Sequence, residues 1–102
     1  MAQVLAPAEI DAALASLPGW SYDGSALVRQ VQVPADSQDG LLEAVGQAAD
    51  AVDHHPVVER SSEEVTFRLW THSAGGVTAK DVDLAARIDR ELSGAGTDEG
   101  TA

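Results

Sequence analysis

The sequence contains no cysteine. Disulfides, thiolate catalysis and cysteine-based zinc sites are therefore excluded. Basic residues are scarce: Lys and Arg number 6 against 17 Asp and Glu, for a formal net charge of −11. Electrostatic binding to nucleic acid or to an anionic membrane needs clustered Lys and Arg, so neither partner is expected. No apolar run approaches the roughly 20 residues of a membrane-spanning helix. The opening residues Met1-Ala2-Gln3-Val4 lack a basic region leading into an apolar stretch, so no signal peptide is expected. A soluble cytoplasmic protein is the default. No internal repeat is visible. At 102 residues the chain is one domain, and a domain this short gains from oligomerisation.

Histidine is also scarce, and its placement is informative. Two of the three histidines are adjacent, in Asp53-His54-His55-Pro56. The third lies in Trp70-Thr71-His72-Ser73-Ala74-Gly75-Gly76. Imidazole is the side chain whose unperturbed pKa lies nearest neutrality, which suits it to proton transfer and to ligand binding.

Residues 1–6 read as a short lead-in. Ile10, Leu14 and Leu17 recur at helical spacing from Pro7 to Leu17, and Pro18-Gly19 stops that helix. Trp20 to Tyr22 reads as a short strand before the turn Asp23-Gly24-Ser25. Leu27, Val31 and Val33 share a face of a second strand, Ala26 to Val33, which Arg29 interrupts, leaving it half buried there. Pro34 ends it. Asp36 or Ser37 can cap a second helix with the apolar face Leu41, Val45, Ala48, Ala49 and Val52. Gly40 and Gly46 weaken it by roughly 1 kcal/mol each relative to Ala. Pro56 disfavours helical geometry at His55, so the helix ends near the His pair. Val57 to Arg60 is a short strand. Val65, Phe67, Leu69 and Thr71 alternate with Thr66, Arg68, Trp70 and His72, the clearest strand pattern in the chain. Thr78 then caps a third helix, with Asp81 at the reciprocal capping position and Val77 and Val82 placed as a hydrophobic staple. Leu84, Ala85, Ile88 and Leu92 form its buried stripe. Residues 93–102, rich in Gly, Thr and acid, read as a disordered tail after a domain spanning 7–92.

This order of elements predicts an α+β, two-layer sandwich: a four-stranded, mainly antiparallel sheet with three helices packed on one face. The other face would carry Arg68 and Trp70, and an exposed Trp there suggests a subunit interface.

The histidines fall where elements meet, at the rim of a sheet, where pockets form. Structural readings stand beside the functional one. His54 could cap a helix C-terminus and His72 could face solvent. Asp81 has a sufficient role at the start of a helix, and Gly75-Gly76 could serve only the turn. A metal site is a third reading, with Asp50, Asp53 or Asp81 adding oxygen, although the spacing fits no usual zinc pattern.

Taken together, His54-His55-Pro56, Thr71-His72, Gly75-Gly76, Thr78 and Asp81 resemble the motif of the pterin-4a-carbinolamine dehydratases. Gly19-Trp20, Ala26 through Arg29 and Asp81 through Ala85 extend the resemblance over most of residues 7–92. The resemblance implies a lyase that needs neither metal nor cofactor. Such an enzyme removes water from 4a-hydroxytetrahydropterin to give quinonoid dihydropterin, recycling tetrahydropterin after aromatic amino-acid hydroxylation. It implies acid/base roles for His54 and His72, with His55 binding substrate or protonating the leaving group. Asp81 would orient an imidazole and stabilise its cation. Asp50, Pro56, Thr71 and Ser73 are expected around the substrate. A homodimer or homotetramer is also implied.

Two departures from the family pattern stand out. Asp50-Ala51 replaces a frequent Glu-Lys, and residues 57–62 lack the aromatics many members carry after His-His-Pro. Members of this fold also act as a coactivator and as assembly factors, so a protein-binding role is the competing expectation.

Overall fold

The structure, a computed structural model, describes residues 3–94. Helix α1 (Pro7–Leu14) has Pro7 in its first turn, where a missing N–H costs nothing, and Glu9 Oε1 accepts the Ala6 N–H at 2.7 Å. It ends three residues before Leu17. Ser16 and Leu17 donate instead to Ala13 and Leu14 at 3.0 Å each, a tightened exit that suits the residue before Pro18. Leu17 still reaches the core.

Strand β1 (Ser21–Tyr22) is joined to β2 (Leu27–Gln32) by a turn that Asp23 organises, its Oδ1 accepting the N–H groups of Ser25 and Ala26 at 2.9 Å each. Helix α2 (Ala35–Ala51) has Pro34 at its N-cap, two residues before Asp36 and three before Ser37, the expected caps. Pro34 flanks it with φ −57, already near the helical value, and Asp36 serves in the first turn, where the helix dipole favours an acid. Strands β3 (Val57–Arg60) and β4 (Glu64–Leu69) follow, then a 3₁₀ turn (His72–Ala74) and helix α3 (Ala79–Gly94). Ser93 and Gly94, read from the sequence as tail, therefore complete α3. The rest of the expected tail, 95–102, lies outside the described residues, as do Met1 and Ala2 of the lead-in.

The sheet order is β1-β2-β4-β3, with every neighbouring pair antiparallel. The protein is thus an α+β sandwich with its helices on one side. Val65, Phe67 and Leu69 of β4 are fully buried and meet Leu41, Val45 and Ala49 of α2 and Leu84, Ala85 and Ile88 of α3 in one core. Each such large side chain contributes roughly 1.5–3 kcal/mol by leaving water. Arg29 lies opposite Phe67 on this layer and is half-buried, as the interrupted pattern implied. Its guanidinium pairs with Asp89 of α3 at 3.0 Å, and Trp20 Nε1 donates to the same carboxylate oxygen at 2.8 Å. On the opposite face, Gln30 and Gln32 both donate to Glu64 at 2.8 Å.

The lead-in is part of this fold. Leu5 donates its N–H to the Val77 carbonyl at 2.8 Å and packs against the core. Val4 lies over Gly76 so closely that a Cβ there would come within 3.1 Å of Val4 Cγ1.

Candidate active site

The end of α2 sets the first histidine. Val52 is the C-cap, and Asp53 adopts φ 54, the left-handed conformation usually taken by Gly. Asp53 N–H bonds the Asp50 carbonyl at 3.1 Å, and His54 N–H bonds the Ala49 carbonyl at 3.0 Å. These two bonds form a Schellman motif with Asp in the glycine position. His54 is thereby turned back beneath the helix end, and Pro56 leads the chain away into β3.

The exit from β4 sets the third. The alternation continues through Thr71 and His72, but the strand stops at Leu69. Thr71 makes a bridge to Gly76, donating to its carbonyl at 2.9 Å. The Thr71 carbonyl accepts from Ala74 and Gly75, and Gly75 closes the turn with φ 79, a conformation cheap only for glycine. Trp70, expected to stand exposed on the sheet, is half-buried just past β4.

The expected reciprocal cap at α3 forms, with the Thr78 hydroxyl accepting from Lys80, the second helical residue, instead of from Asp81. Thr78 N–H donates to Asp81 Oδ2 at 2.8 Å, and Lys80 N–H donates to Thr78 Oγ1 at 3.2 Å. Asp81 is fully buried, and its carboxylate does more than cap. Thr71 Oγ1 donates to Oδ2 at 2.8 Å, and the Thr71 and Thr78 hydroxyls lie 2.7 Å apart. Oδ1 lies 2.5 Å from His54 Nε2. Each hydroxyl has one proton to give. Thr71 spends its proton on Asp81, so Thr78 donates to Thr71. A carboxylate only accepts, so His54 Nε2 carries the hydrogen, and in the neutral ring Nδ1 is then the nitrogen with the lone pair. Among the described residues nothing hydrogen-bonds Nδ1.

An open cleft of about 480 Å³ gathers these elements. His54, His55 and His72 line it together with Thr71 and Ser73. Asp81 stands behind His54 rather than in the wall. Asp50 and Pro56 are not in the wall either: exposed Asp50 pairs with His55 Nε2 at 2.7 Å, outside the cleft, because the helix carries it past its mouth. Of the remaining lining residues, Asp53 was considered only as a metal ligand, and Val57, Arg68, Trp70 and Lys80 were not singled out as site residues in the sequence. Alternation did place Arg68 and Trp70 on one face, which was the available signal for them. Among the described residues no group of three or more His, Asp or Glu side chains is arranged to hold a metal ion.

Comparison with known proteins places this geometry. Residues 3–91 match the family model described as pterin 4 alpha carbinolamine dehydratase. The chain belongs to this family. A relative from Mycolicibacterium smegmatis, named "Putative pterin-4-alpha-carbinolamine dehydratase", is 45% identical over 92 residues, covering 88% of this chain and 97% of the relative. A similarly named protein from Roseiflexus castenholzii is 41% identical over 90 residues, covering 87% and 97%. Among solved structures, the transcriptional coactivator/pterin dehydratase from Brucella melitensis superposes with a TM-score of 0.82 at 29% identity, covering 87% of this chain and 98% of that one. Residues 57–62 contain no aromatic; Trp70, which lines the cleft together with Val57, supplies an aromatic surface in the wall.

Proposed function

We propose that the protein dehydrates 4a-hydroxytetrahydropterin to quinonoid dihydropterin and water, using its histidines as acid and base. The observation that carries this reading is the convergence of all three histidines on one cleft, with a buried carboxylate behind His54. In the reaction the C4a–O bond breaks. An acid protonates the departing hydroxyl, which leaves as water, and a base takes a proton from a ring nitrogen. Each transfer contributes typically 10²–10⁴-fold.

His54, with Nε2–H held by Asp81, presents Nδ1 as the base. Asp81 keeps the ring in that tautomer and stabilises the imidazolium that forms. His72 is exposed and its imidazole makes no hydrogen bond among the described residues, which leaves the ring free to supply the proton, and His55 binds the substrate beside it. Thr71 and Ser73 line the same wall. The reading takes the protein as a cytoplasmic homo-oligomer that recycles a tetrahydropterin cofactor. No helix among the described residues is long and apolar enough to cross a membrane.

The test is dehydration of 4a-hydroxytetrahydropterin, generated in place by a pterin-dependent hydroxylase and followed by absorbance. The natural sequence accelerates it, and the folded His54→Ala/His72→Ala double variant does not. No acceleration by either folded protein would favour the protein-binding role suggested by the Brucella relative's coactivator description.

A further inference from the structure

We infer that the cleft selects a substrate bearing an anionic substituent and that Lys80 is the residue that reads it. The inference rests on the pterin reading above and names a property of the substrate that reading leaves open. It starts from a charge distribution opposite to that of the molecule. The chain has 17 acidic residues, yet among the described residues Asp53 is the only acidic one in the cleft wall. All three histidines are there, with Arg68 and Lys80 out of 6 Lys and Arg in the chain.

Ion pairing separates Lys80 from Arg68, the other cation of the cleft wall; Arg90 also makes no ion pair among the described residues, but it does not line the cleft. Arg29 pairs with Asp89, Arg60 with Asp39, Arg68 with Asp23 and Arg87 with Asp83. Arg68 therefore brings its own counter-charge to the cleft. Lys80 is paired with no carboxylate among the described residues, in a protein where carboxylates outnumber cations nearly threefold. Helix stability does not explain it: Lys80 lies in the first turn of α3, where the macrodipole disfavours a cation and Asp81 already serves the cap. What remains is a flexible ammonium with three donors at the edge of a cleft whose half-buried Trp70 offers a flat apolar surface. A planar heterocycle fits the Trp70 side, and a carboxylate or phosphate on its side chain fits Lys80.

The test is equilibrium binding, which does not depend on turnover. The probes are 6-carboxypterin, the phosphate ester of 6-hydroxymethylpterin, and neutral 6-hydroxymethylpterin, followed by quenching of pterin fluorescence at low ionic strength. Expected is a preference of roughly fivefold for the anionic probes, the scale of a single half-exposed ion pair. Lys80→Met, at an exposed position, should shrink that preference below about twofold, and Lys80→Arg should keep it. Whichever anionic probe binds tighter identifies carboxylate or phosphate as the preferred group. Equal binding of all three, or a preference that survives Lys80→Met, overturns the inference and leaves the dehydratase reading standing. Failure of all three to bind overturns this inference, and the dehydration assay then decides separately whether the catalytic reading falls with it.

Discussion

Asp81 Oδ1 lies 2.5 Å from His54 Nε2, and the carboxylate is sealed from solvent while the ring opens onto the cleft. One side chain thus performs two tasks. Its Oδ2 closes the start of α3, and its Oδ1 aims the imidazole at the end of α2. The two helices are fastened to each other at the histidine cleft.

Asp81→Asn separates these tasks. The amide still accepts from Thr78 N–H but cannot stabilise an imidazolium, and its NH₂ group disfavours Nε2–H. The dehydration kcat should fall by roughly 10²–10⁴-fold, with KM changed much less. Stability in urea should drop by about 1–3 kcal/mol, the usual cost of a compromised buried hydrogen bond. A kcat within a few-fold of the natural sequence would remove Asp81 from the mechanism.

Thr71 acts one step further back, through Asp81. Thr71→Val keeps its shape but withdraws the donor to Oδ2 and leaves the Thr78 hydroxyl only its longer bond to the same oxygen, at 3.4 Å. It should destabilise the fold by about 1–3 kcal/mol and shift the His54 tautomer equilibrium, read from ¹⁵N chemical shifts of the ring. Thr71→Ser should restore both. An unchanged His54 spectrum in the Val variant would show that the hydroxyl serves packing alone.

Much of the fold was legible because it is written at short range. A sheet with one covered face imprints a period of two, so Val65, Phe67 and Leu69 reveal their orientation directly. The Thr78–Asp81 cap spans four residues and needs no tertiary knowledge. The same alternation misled at Thr71. That residue is buried like its predecessors, but for a hydrogen bond to Asp81 and not for the core, so the pattern continued past the end of the strand. The pairing of His54 with Asp81 joins residues 27 apart in sequence and depends on how two helices meet. Lys80 was silent for another reason: a Lys on a helix looks like a solvated charge until its surroundings are known.

Asp53 offers a test of the helix exit. A side chain at φ 54 costs on the order of 1 kcal/mol that glycine avoids. Asp53→Gly should therefore raise stability by about 0.5–1 kcal/mol, and Asp53→Val, with its branched Cβ, should lower it by at least about 1 kcal/mol. Thermal melts distinguish the two. A melt lowered by Gly would mean that the Asp side chain, rather than the backbone, holds the exit.

Asp23 gives a pH signature. Backbone N–H bonds from Ser25 and then Ala26 hold its carboxyl below the ordinary aspartate value, with Arg68 adding a weaker attraction. A depressed folded pKa stabilises the protein above the unfolded value, and that contribution is lost as pH falls through the folded one. The Tm difference between the natural sequence and Asp23→Asn should be full near neutrality and close as pH drops below about 3.9. A difference constant down to the acid limit would contradict the assignment.

For anyone trimming or tagging this protein, the working unit begins before its first helix. Val4 lies on Gly76, whose carbonyl fixes Thr71, and Leu5 is tied to Val77. A fusion joined at Pro7 would look harmless by secondary structure, yet it would uncover the loop that carries His72. Its cost would appear as poor turnover in a preparation whose circular dichroism looked normal.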